Sequence, residues 1–76
     1  MALIREFKQK SMDRNSIHDE IGATYTVFER DDRVFVQIDS YGRPEREKPQ
    51  SKSQTIQLDE NGARQLVQIL KSAFRF

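Results

Sequence analysis

Two hydrophobic periodicities share this chain. Near its end Ala63, Leu66, Val67, Leu70, Ala73 and Phe74 recur at the i, i+3, i+4, i+7 spacing that lines one side of a helix, predicted over residues 59–76. Asp59 is a good N-cap, Glu60 suits the positive end of the helix dipole, and Lys71 and Arg75 suit the negative end. Leu58, just before the cap, is placed to staple onto Ala63. Gly62 weakens the first turn by about 1 kcal/mol, which the cap offsets.

The second periodicity is two. ATYTVFER (23–30) and RVFVQIDSYG (33–42) alternate and are rich in β-branched and aromatic residues, with Asp31-Asp32 between them as a two-residue turn. That turn sets a register in which Arg30 faces Arg33, Phe28 faces Phe35, Val27 faces Val36 and Tyr25 faces Ile38. Ala23, Tyr25, Val27, Val34, Val36 and Ile38 then share one face, the expected core face. A slip of one residue would scramble both faces. A shorter strand, SQTIQLD, places Gln54, Ile56 and Leu58 together. Between these strands, residues 42–52 carry two prolines, a glycine and many charges and read as a loop. The first twenty residues stay open. LIREFKQKSM suits a helix with Leu3, Ile4 and Phe7 on one side, and equally a strand alternating Leu3, Arg5, Phe7 and Gln9.

Composition narrows the classes. Seventy-six residues make a single domain with a thin core, a situation often remedied by a second copy of the chain. Without cysteine there is neither a disulfide framework nor a thiolate metal site. No apolar run approaches the roughly 20 residues that span a bilayer, and the charged start does not read as a secretory leader. A cytoplasmic protein is expected, nucleoid-associated if bacterial. The net charge of +1 leans only faintly toward anionic partners. His18 is the sole histidine and stands among acids in a polar stretch, as a solvated residue would. The three glycines are scattered at 22, 42 and 62 and form no phosphate-cradling loop. Neither an enzyme nor a cofactor is expected.

The non-core face of the hairpin is the candidate site. It carries Thr24, Thr26, Phe28 and Arg30 on one strand, and Arg33, Phe35, Gln37, Asp39 and Tyr41 on the other. Phe28 opposite Phe35, with Arg30 opposite Arg33, makes an aromatic pair bordered by guanidinium groups. Facing arginines repel, so an anion would relieve them. Bases stack on such platforms at roughly 1–3 kcal/mol each while cations meet the phosphates, the manner in which single strands are held. Against this stands coverage of the same face by the N-terminal segment or a second subunit.

Residues 24–74 resemble the coactivator family typified by Positive Cofactor Four, including its small bacterial relatives. The resemblance rests on Val34 to Tyr41, Lys48-Pro49, Lys52, Ile56 to Leu58, Asp59-Glu60 and the terminal helix. It implies an α+β fold: a curved four-stranded antiparallel sheet, with LIREFKQKSM as first strand, followed by one helix that drives homodimerisation. It also implies grooves for single-stranded DNA, with Arg33, Lys48 and Lys52 at DNA-holding positions. Asp39 and Gly42 stand where the family usually has an arginine and a tryptophan.

Together these readings predict a non-enzymatic module for single-stranded DNA or RNA with little sequence preference, of a kind that serves transcription or another DNA transaction. Phe28, Phe35 and Tyr41 would stack, and Arg30, Arg33, Lys48 and Lys52 would meet phosphates. The alternative is a protein-interaction module of the same fold that docks on a larger partner through its aromatic sheet face. Ile69 and Phe76, beside the core stripe of the helix, favour a dimer through that helix.

Overall fold

The computed structural model describes residues 1–42 and 52–76. Its elements are β1 (Ala2–Ile4), β2 (Ala23–Arg30), β3 (Arg33–Tyr41), β4 (Lys52–Leu58) and α1 (Glu60–Phe74). The four strands form one sheet in the order β1-β4-β3-β2.

The β2–β3 hairpin has the register that the Asp31-Asp32 turn dictates, from Arg30 opposite Arg33 to Ala23 opposite Ser40. Both turn residues adopt left-handed backbone, with φ of 54° and 60°. Such a turn matches the right-handed twist of the strands it joins, and aspartate tolerates that conformation better than most residues. β4 pairs antiparallel with β3, with Val36 opposite Leu58 and Asp39 opposite Thr55, until the register shifts between Ser40 and Tyr41 and brings Tyr41 opposite Lys52.

The sheet is mixed, not fully antiparallel. β1 is only three residues long and runs parallel to β4, pairing Ala2, Leu3 and Ile4 with Ile56, Gln57 and Leu58. Neither the helix nor the longer strand allowed for LIREFKQKSM forms. The cause is α1, which takes over the backbone groups a longer strand would need. Asn61 Nδ2 donates to the Arg5 carbonyl at 2.8 Å, and Gln65 Oε1 accepts from the Phe7 amide at 2.8 Å. The chain then runs without regular structure through residues 5–22 before entering β2 at the opposite edge of the sheet.

α1 is capped as its sequence requires. The Asp59 side chain accepts from the Gly62 amide at 2.8 Å, and Arg75, in the left-handed region, donates its amide to the Lys71 carbonyl at the far end. Gly62 is needed for more than the turn: a Cβ there would sit 2.3 Å from the Ile4 carbonyl oxygen. The first turn of α1 therefore lies directly against the end of β1.

That anchorage decides where the core is. Leu58 is the one buried apolar side chain among the described residues, and even it keeps 6% of its surface exposed. Val36, Ile38 and Ile56 around it are half-buried. Farther out on the expected core face, Tyr25, Val27 and Val34 stand in solvent, Tyr25 at 75% exposure. The assignment of that whole face to a core is thus corrected: α1 is held at the β1 end and leaves the β2–β3 half of the sheet uncovered.

Candidate nucleic-acid interface

The opposite face of the sheet gathers the predicted site residues. Alternation along β2 and β3 puts Phe28 against Phe35, their rings stacked with centroids 5.4 Å apart and planes inclined by 22°. Both rings are half-buried, so the platform is partly open rather than fully exposed. The Arg33 guanidinium lies over the Phe35 ring, 4.9 Å from its centroid. Arg30 is exposed at the same hairpin tip.

Arg33 has a second engagement. Its Nη2 lies 3.6 Å from Asp59 Oδ2, an oxygen that Arg5 Nε also approaches at 3.4 Å. The other oxygen, Oδ1, caps α1 through Gly62. Asp59, itself buried, thereby ties β3 and α1 to the residue that follows β1. The repulsion between the facing arginines is thus eased in part from within, by a carboxylate on the Arg33 side. Asp59 read in the sequence only as a cap; its ion pairs depend on β1 and β3 converging beside it.

The centre of this face is a hydrogen-bonded network. Asp39, only 4% exposed, accepts from Thr55 Oγ1 at 2.6 Å and from Gln37 Nε2 at 3.1–3.2 Å. Gln57 Nε2 donates in turn to Gln37 Oε1 at 3.0 Å. Asp39 is therefore a buried structural acceptor, not an acid presented to passing phosphates. Thr55 and Gln57 escaped the sequence reading, which places Gln37 on this face without a partner, because the pairing of β4 with β3 was not derivable across the intervening loop. Tyr41, half-buried on the same side, shares a 3.0 Å hydrogen bond with Thr24 across the strands.

Of the predicted residues, Phe28, Arg30, Arg33, Phe35 and Tyr41 thus lie on one sheet face, with the first four clustered at the hairpin tip. Lys48 lies outside the described residues. Lys52 is placed by its backbone alone, as the first residue of β4 opposite Tyr41.

Among the described residues no group of three or more His, Asp or Glu side chains is disposed to hold a metal ion. None of their helices is long and apolar enough to cross a membrane. No protein-family model matches the chain, and neither curated proteins nor solved structures give a match.

Proposed function

We propose that this chain is a non-enzymatic module that binds single-stranded nucleic acid, DNA in the first instance, with little sequence preference. The observation that carries the reading is the half-open Phe28–Phe35 stack, with one guanidinium over its ring and another beside it at the hairpin tip. Unpaired bases extend such a stack, and the arginines meet the flanking phosphates. Lys52 enters β4 opposite Tyr41, at the other end of the same strands from the two arginines. A role in transcription or another DNA transaction follows from this reading.

A second reading has its own support. Arg33 is already neutralised in part by Asp59, which favours docking of a protein partner on the aromatic face over phosphate binding. Salt separates the two, because phosphate contacts release counterions and apolar docking does not. The test is a fluorescence-anisotropy titration with labelled single-stranded and duplex oligonucleotides at two salt concentrations. Preference for the single strand with a negative salt slope supports the first reading. Equal affinity for both forms, or none at low salt, leaves the docking module as the better account.

A further inference from the structure

Hydrogen-bond polarity across the centre of the polar face is fixed from one end. As a carboxylate, Asp39 only accepts, so Gln37 turns its Nε2 toward it, at 3.1–3.2 Å. The Gln37 oxygen is left facing β4, and Gln57 meets it with Nε2, at 3.0 Å. Turning over either amide alone would set oxygen against oxygen. The orientation of Gln57 is thus decided by a carboxylate it does not touch. Gln57 ends the series half-buried. Its Oε1 has no hydrogen-bond partner among the described residues, and one N–H of Nε2 is also left over.

This oriented amide opens on a cleft. The cleft has a volume of about 400 Å³ and is lined by Met1, Ala2, Leu3, Gln37, Thr55 and Gln57. That volume falls within the range of small-ligand sites, which combine apolar walls with a few placed polar groups. Leu3 pairs with Gln57 between β1 and β4, so it shares the face and supplies an apolar wall. Gln37 follows Phe35 by two residues on β3 and lies opposite Gln57 on β4. The step from the Phe35 ring to the Gln57 amide is therefore two residues along and one strand across, roughly 8 Å. One nucleotide of an extended strand, with its base, covers that step.

We propose that the cleft takes the edge of an unpaired nucleobase, held by the Gln57 amide. Each unpaired base carries a donor beside an acceptor on its Watson–Crick edge: adenine N6–H beside N1, thymine N3–H beside O4. An amide offering one N–H and one oxygen meets all of them alike, and in a duplex those same atoms are spent on the complementary base. Gln57 thus reads that a base is unpaired, not which base it is. The inference rests on the nucleic-acid reading and gives it a source of single-strand preference besides stacking, with little sequence preference as its consequence.

The test compares a labelled oligothymidylate with the same strand built from N3-methylthymine, which keeps the stacking ring and the phosphates but blocks the N3 donor. The unaltered chain is expected to bind the unmodified strand at least about fivefold more tightly. Gln57→Met, shown folded by circular dichroism, should bind the two strands alike, with the salt slope unchanged because an amide carries no charge. Equal binding of both strands by the unaltered chain overturns the proposal, whatever the variant does. So does a Gln57→Met chain that keeps the distinction. Binding without discrimination overturns this inference and leaves the nucleic-acid reading standing, whereas binding of neither strand at low salt overturns both.

Discussion

The two faces of the sheet differ in how they are satisfied. On one, Asp39 and Gln37 of β3 bond with Thr55 and Gln57 of β4, and two phenylalanines cover each other's rings. On the other, Tyr25, Val27 and Val34 have the composition of a core and the exposure of a surface. The polar face is complete within the chain because hydrogen bonds and ring pairs are made between adjacent strands. The apolar face is incomplete because burial needs a second layer, and the one helix among the described residues is pinned elsewhere. Alternation therefore tells which side chains share a face but not whether that face is covered.

The largest effect should come from the interior of the polar face. Asp39→Ala is expected to lower the unfolding free energy by about 2–3 kcal/mol, since it strips a buried acceptor from Thr55 and Gln37. Tyr25→Ala should cost no more than about 0.5 kcal/mol, because its side chain stands in solvent. Urea titrations of both variants read the contrast. Equal losses in dilute solution would abolish the distinction between the faces.

Next comes the anchor that keeps α1 off the apolar face. Gly62→Ala ordinarily favours a helix, yet here its methyl would enter the Ile4 carbonyl. A net loss of about 1–3 kcal/mol is expected, and a stabilised variant would show that α1 is free to move.

The aromatic pair should respond at an intermediate level. Phe28→Ala or Phe35→Ala is expected to cost about 1–2 kcal/mol, below the roughly 3–5 kcal/mol of a core phenylalanine, because each ring is half-buried and stacked on one partner. In oligonucleotide titrations the same changes should weaken binding and leave the salt slope nearly unchanged. Arg30→Ala should instead reduce that slope by about 1. A slope that responds to the rings and not to the arginine would count against the platform.

The smallest effect lies at the hairpin tip. Asp32→Gly should stabilise the chain by about 0.5–1 kcal/mol, because glycine takes φ of 60° without the Cβ cost. Thermal unfolding reads this; a loss would mean that the Asp32 side chain makes a contact that outweighs the strain.

How far the sequence reaches follows from the range of each interaction. The hairpin register, the Asp59 cap and α1 were all legible, because each rests on neighbours a few residues apart or on one two-residue turn. Five of the seven candidate binding residues were placed on a common face by the same alternation, and the structure brings Phe28, Arg30, Arg33 and Phe35 together at one tip. What was not legible spans the chain. That β1 lies parallel beside β4, and stops at Ile4, depends on Asn61 and Gln65, more than fifty residues away. That Asp39 is buried depends on Thr55 arriving opposite it, across a loop whose length and composition set no register. Arg33 looked free for an anion until the end of β4 brought Asp59 beside it. Local pattern determined the elements and the faces of this protein. Only the tertiary structure decided which face is finished, because burial is a property of what lies on top of a residue and not of the residues beside it.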